Sequence, residues 1–278
     1  MFNRLPARDG GVAARTLFSL HEFSRVNRRM HNKLLVADNA FAISGGRNVA
    51  DAYFERSEPA NFIDMDLLSA GPVVARMSAV FDRYWNSEQA YPVQSLAAED
   101  AQGEPARLAF DRRMQTQAAA AELPAGDVDE LGQAPVGAQL QQGRVALSMA
   151  SVLVVADAPQ KVAGAGREDG AVMQANLALL RAASREVFVA SPYVVPGERG
   201  LLALRDAASR VRVSLVTNSL ATTDEPLAHF GYARYRVALL DMGVNLYELM
   251  PPASSPQERD AAGTSPGRLH AKVTVVDG

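Results

Sequence analysis

Cysteine is absent from these 278 residues, which excludes disulfides, thiol nucleophiles and thiolate metal sites and leaves the redox compartment open. No apolar run approaches the roughly 20 residues that span a bilayer. Residues 1–11 also lack the charged-then-apolar layout of a signal peptide. Any membrane contact is therefore expected to be peripheral, or made by parts outside this sequence. Strong charge of one sign is missing too: the formal net charge of −3 supplies no overall basic field to hold nucleic acid. Lysine is scarce, with only Lys33, Lys161 and Lys272 against 25 Arg. Arginine serves wherever any cation suffices, so a compact ammonium is kept where its chemistry matters.

What is present has the proportions of a globular protein, 48% hydrophobic and 21% charged, and is long enough for one large domain or two ordinary ones. Apolar spacing predicts a helix over 16–29, strands at 30–37, 40–44 and 62–68, and a helix opened by Gly71-Pro72 and running to Trp85. Residues 88–142 turn rich in Ala, Gln, Glu, Gly and Pro, and read as a linker carrying a helix or two. Strands at 151–156, 186–191, 211–217, 244–249 and 269–276 then alternate with helices at 171–184, 200–210 and 227–242. That alternation predicts an α/β fold with largely parallel pairing in a helix-covered sheet.

Two of the three lysines follow a His by two residues, although the chain has only four His. The spacing His-x-Lys-x-x-x-x-Asp occurs twice, at His31, Lys33 and Asp38 and again at His270, Lys272 and Asp277. One His-x-Lys reads as a half-exposed strand with a solvated charge; two identical copies in a lysine-poor chain do not. On a strand, residues two apart share a face, so each His and Lys project together. A neutral imidazole can attack phosphorus while an ammonium neutralises the non-bridging oxygens. Two such units facing each other supply a nucleophile and a general acid. Asp38 and Asp277 fall on the opposite face at the strand ends, where hydrogen bonding to the strand or its turn is their expected role.

The strand predicted at 40–44 ends in Gly45-Gly46-Arg47-Asn48. The glycines let a ligand approach the backbone, and the Asn amide can donate to a phosphoryl oxygen. Asp64 and Asp66 offer two carboxylates on one strand face. An imidazole attacking through one nitrogen needs an acceptor on the other. Asp64 is the first candidate opposite one of the two His, and Asp66 the second. His21 lacks the required spacing and reads as helix packing. His229, Arg234 and Arg236, with Tyr232 and Tyr235, lie on a helix where they could contact a lipid phosphate or form a solvated face. Tyr84 and Trp85 follow an apolar helical face and are expected in the core. No His and carboxylate cluster has metal-ligand spacing, and no cofactor is expected.

The stretch Asn27-Arg28-Arg29-Met30-His31-Asn32-Lys33, with Gly45-Gly46-Arg47-Asn48 and Asp51-x-Tyr53-Phe54, resembles the first half of a phospholipase D-type enzyme. Further words match bacterial cardiolipin synthases of the C type: Asp64-x-Asp66-Leu67-Leu68, Ser191-Pro192-Tyr193, Thr217-Asn218-Ser219-Leu220 and Gly231-Tyr232-Ala233-Arg234-Tyr235-Arg236. The resemblance covers nearly everything outside about 93–148. It implies a phospholipase D-like fold, two similar mixed or parallel sheets flanked by helices and meeting at a pseudo-twofold active site. The implied organisation is a first half at 1–92, a linker or insertion at 93–148 and a second half at 149–278, incomplete at both ends.

The resemblance also implies a metal-free, two-step mechanism. His31 would be the nucleophile that becomes a phosphohistidine, and His270 the acid and base. Lys33, Lys272 and Asn48 would hold the phosphoryl oxygens. The implied partners are phospholipids at a membrane surface, with no nucleic acid, and the implied location is peripheral on a bacterial inner membrane or at its cytoplasmic face. Phosphatidylglycerol as acceptor would give cardiolipin. A nuclease on the same fold would want a basic groove with stacking aromatics, and a truncated remnant would turn nothing over.

Overall fold

The computed structural model describes residues 30–54, 56–57, 60–92, 104–120, 134–163, 170–251 and 267–278. The helix predicted over 16–29, with His21, lies outside them. Two compact units divide the chain, one of residues 1–26 and 88–153 and the other of residues 27–87 and 154–278. In the second unit, strands β1 (Leu34–Ala37), β2 (Phe41–Gly45), β3 (Asn61–Ile63) and β4 (Asp66–Ala70) lead into helix α1 (Pro72–Trp85). The first unit supplies helices α2 (Glu104–Ala120) and α3 (Val136–Gln141) from the predicted linker. The second unit resumes with α4 (Ala171–Ala182), β5 (Glu186–Ala190), α5 (Gly197–Ala208), β6 (Arg212–Asn218), α6 (Pro226–Asp241), β7 (Asn245–Leu249), β8 (Gly267–Leu269) and β9 (Val273–Val276). No described helix is long and apolar enough to cross a membrane.

An antiparallel sheet of order β1-β2-β4 opens this unit. Asp38 and Asn39 turn its hairpin in the left-handed region, at φ 51° and 55°, which short polar side chains tolerate. Gly71 at φ 80° and Pro72 start α1, whose Val74 and Met77 pack on Ala42 of β2. Residues 151–156, predicted as a strand, form none. Without a ladder partner this stretch runs irregularly, and Val154 packs onto the Ala42–Val74–Met77 cluster instead. Trp85 is not in the core. It is 70% exposed and stacks on Phe81 one helical turn earlier, on a face of α1 turned from the sheet. Tyr84 donates its hydroxyl to the Asp157 carbonyl at 2.8 Å.

The main core belongs to a four-stranded mixed sheet of order β7-β6-β5-β9, with β5, β6 and β7 parallel and β9 antiparallel. Period-two alternation sends Val187, Val213 and Leu215 to one face, where Leu204, Ala207, Tyr232 and Leu239 of α5 and α6 close over them. Phe188, Tyr247 and Val275 stand on the other face and are exposed, so among the described residues helices cover the sheet on one side only. At the end of β9, Asp277 takes φ 57°, as Asp38 does seven residues after the other motif His. Its carboxylate accepts from the backbone N–H of Ser184 (2.9 Å), Arg185 (2.7 Å) and Glu186 (3.0 Å) and from the Ser184 hydroxyl (2.7 Å).

The predicted strands at 62–68 and 269–276 are each split. The pieces β3 and β8 pair with each other in parallel, Ile63 opposite Leu269. Beyond that point the two chains part: β4 turns to β2 and β9 turns to β5. Asp64-Met65 and His270-Ala271-Lys272 occupy the two breaks, where the change of ladder partner frees them from strand geometry. Residues 30–33, predicted as strand, are likewise irregular, and β1 begins only at Leu34.

Leu239, fully buried, should cost about 2–5 kcal/mol when cut to Ala, whereas Val275→Thr on the open face should cost less than about 0.5 kcal/mol; urea unfolding reads both. Hydrogen bonds from Ser184, Glu186 and Arg185 hold the Asp277 carboxyl well below the usual carboxylate range. Its contribution is therefore full above about pH 4 and lost as pH falls further. Asp277→Asn should lower the melting temperature at pH 7, with the deficit shrinking in acid.

Candidate active site

The break in the two strands builds the site. Ile63 offers its carbonyl to two donors, the N–H of His270 at 2.8 Å and of Ala271 at 3.0 Å. This clamp sets Asp64, the next residue on one chain, against His270 on the other. The contact is His270 Nδ1 to Asp64 Oδ2 at 2.6 Å, between side chains only 4% and 0% exposed. The carboxylate thus fixes the Nδ1–H tautomer and leaves Nε2 for chemistry. The His31 ring lies across from that of His270, centroids 6.4 Å apart and planes at 49°. The two motif copies therefore converge, although 31 and 270 lie far apart in sequence.

Each His-x-Lys forms the same small claw. Lys33 Nζ lies 3.2 Å from both ring nitrogens of His31 and donates to the His31 carbonyl at 3.1 Å. Lys272 Nζ lies 3.1 and 3.2 Å from the two nitrogens of His270 and donates to the His270 carbonyl at 2.7 Å. An ammonium equally near both nitrogens is a charge set beside the ring rather than a directed donor to either.

Several expectations meet a different arrangement in the structure. The space beside Gly45 and Gly46, expected to admit a ligand, is taken by carboxylates. A Cβ on Gly46 would stand 2.0 Å from Asp64 Oδ1, and one on Gly45 1.9 Å from Asp66 Oδ1. Asp66 does not share a face with Asp64, because the chain breaks between them. It pairs with Arg47 at 2.8 Å, while the same guanidinium donates to the carbonyls of Tyr53 and Asp64. Asn48 donates one of its two amide N–H groups to the Tyr53 hydroxyl at 2.7 Å. On α6, Arg236 pairs with Glu248 at 2.6 Å and lies over the Tyr232 ring, beside buried His229, so these groups form a packed network rather than a solvated face.

Spacing alone could not have found the aromatic wall. Tyr53 and Phe62 stack at 4.5 Å and meet the His270 ring at 5.1 and 5.2 Å. Tyr193 meets it edge-on at 6.3 Å, lies 5.6 Å from Lys272 Nζ and donates its hydroxyl to Asp224 at 2.7 Å. Burial, helped by that bond, raises the Tyr193 phenol far above its ordinary range, so it stays protonated.

Burial and neighbouring charges shift the titration of the claw residues. Burial lowers the His31 pKa below 6.5, reinforced by Lys33, Lys272 and His270 and opposed by Asp64. The ring keeps an edge in solvent, yet enough water is displaced to favour its neutral form. Burial likewise lowers Lys33 and pushes Lys272 down to about 8, against the pull of Asp64.

Comparison with known proteins follows this geometry. No family model matches the chain. It is 34% identical over 269 residues to cardiolipin synthase C of Escherichia coli (strain K12), covering 95% of this chain and 56% of that protein. Against a cardiolipin synthase of Geobacillus thermodenitrificans it is 26% identical over 257 residues, covering 92% of this chain and 39% of the relative. The phosphatidylserine synthase of Haemophilus influenzae Rd KW20 superposes with a TM-score of 0.49 at 12% identity, over 89% of this chain and 51% of that one. The chain spans about half the length of the curated relatives it matches. Two convergent His-x-Lys-x-x-x-x-Asp motifs on an α/β framework thus accompany a similarity to cardiolipin synthases that runs over more than nine-tenths of this chain.

Proposed function

We propose that this site transfers phosphatidyl groups between lipid alcohols through a phosphohistidine. The observation that carries the reading is the facing pair of imidazoles, one bonded to a buried carboxylate and each with an ammonium beside it. His31, kept neutral, attacks phosphorus; the P–N bond forms as the P–O bond to the leaving alcohol breaks. His270 passes its Nε2 proton to that oxygen, and the Asp64 carboxylate stabilises the imidazolium beforehand. Lys33 and Lys272 face the charge that develops on the non-bridging oxygens. The incoming hydroxyl then gives its proton to His270 as its oxygen displaces His31. Phosphatidylglycerol as acceptor, with a second phospholipid as donor, gives cardiolipin; water gives phosphatidic acid. The similarity to cardiolipin synthases supports lipid alcohols as the substrates.

The test incubates the purified protein with vesicles of phosphatidylglycerol and phosphatidylethanolamine, or with duplex DNA. Cardiolipin from wild type but not from His31→Ala is expected, with 32P trapped on His31. DNA cleavage without lipid product would sink the proposal. Asp64→Asn should lower kcat by about 10²- to 10⁴-fold through loss of the oriented imidazolium.

The pH profile of kcat/KM should be bell-shaped. Its acid limb lies below 6.5, where His31 gains a proton and loses its lone pair. Its alkaline limb lies near 8, where Lys272 loses its charge. Lys272→Arg, at reduced rate, should move the alkaline limb upward, because a guanidinium stays charged. An alkaline limb in the same place would contradict the role given to Lys272.

A further inference from the structure

Asn218 is the last residue of β6 and 1% exposed, a buried carboxamide in a position where an aliphatic side chain would cost nothing to desolvate. Its Oδ1 accepts from the Leu269 N–H at 2.9 Å, and its Nδ2 donates to the Leu269 carbonyl at 2.8 Å. Leu269 immediately precedes His270. In a parallel ladder, a residue turns both backbone groups to one neighbour while the next residue turns its own to the other. Leu269 faces Asn218 and His270 faces Ile63, in that alternation. The Asn218 amide thus takes the flank of β8 on which no described strand pairs, and it does so from the end of a strand buried in the core.

We infer that Asn218 is a positioning residue, which fixes the backbone entering His270 so that its Nε2 proton meets the leaving oxygen. His270 itself sits in a break between strands, where no ladder holds it on the Asn218 side. The peptide before it is locked between Ile63 on one flank and Asn218 on the other. Releasing one flank lets the imidazole swing about its bond to Asp64. A displacement of about 1 Å in a reacting group costs on the order of 10²-fold in rate. This assignment rests on His270 serving as the general acid of the proposed transfer.

The experiment separates proton delivery from everything else by the choice of leaving group. First-turnover release is followed for two phosphodiesters, phosphatidylglycerol and bis(p-nitrophenyl) phosphate. Glycerol must be protonated as it leaves, whereas nitrophenolate leaves as the anion. Both releases report only formation of the P–N bond at His31. Asn218→Leu should slow glycerol release about 100-fold with KM changed less than about twofold, and slow nitrophenolate release less than about threefold. Asn218→Asp keeps the acceptor for Leu269 N–H and loses the donor to its carbonyl; it should show the same selective loss, and it answers the question if the Leu variant does not fold. Equal loss on both esters, or no loss on either, would overturn the assignment. Wild type releasing neither leaving group would overturn the proposed function as well, whereas wild type active on both with unselective variants overturns this assignment alone.

Discussion

One carbonyl oxygen, that of Ile63, organises the candidate site. By accepting both the His270 and Ala271 N–H groups it stops two strands at the same level and sends them to different sheets. The residues released at that level are the acid on one chain and the imidazole with its ammonium on the other. A regular ladder could not have done this, since it would hold Asp64 and His270 at strand spacing with side chains alternating across a sheet. The break lets them turn to each other. The Asp64–His270 contact is dry, and in a dry contact a carboxylate left without a donor costs far more than at the surface. The pairing of β3 with β8 and the charge pair are therefore mutually dependent.

Much of the fold could be read in the sequence because its signals are local. The periodicities at 171–184, 211–217 and 227–242 are answered by α4, β6 and α6 within two residues. The turn at Asp38-Asn39 needs no more than the tolerance of those two side chains for positive φ. The strand misreadings share a cause: they concern where a strand changes or lacks a partner. Apolar alternation continues through Asp64 and through His270, so 62–68 and 269–276 each read as one strand. Nothing in either segment announces that its neighbour is elsewhere. Residues 151–156 have the composition of a strand and no partner to pair with.

The candidate site was legible to the same degree. Lys scarcity and exact repetition singled out both His-x-Lys pairs, and charge logic singled out Asp64 over Asp66. The aromatic wall of Tyr53, Phe62 and Tyr193 and the amide of Asn218 left no trace in spacing, because their contacts cross from one strand pair to another. The glycines were read with the right instinct for closeness and the wrong guest. Gly45 and Gly46 give up their side-chain volume to the carboxylates of Asp66, in β4, and Asp64, in the break before it, so small size here serves the acid rather than a ligand.

The β3–β8 pairing has a consequence for how the molecule forms. Asp64 and His270 are 206 residues apart, and no shorter contact can substitute for theirs. Closing so long a loop is entropically uphill until many other contacts already hold the ends near each other. The local hairpin of β1 and β2 and the compact core around β6 gather first on that argument, and the acid–imidazole pair comes together among the last events of folding. Partly folded chains would carry both motifs in full and still lack the contact between Asp64 and His270.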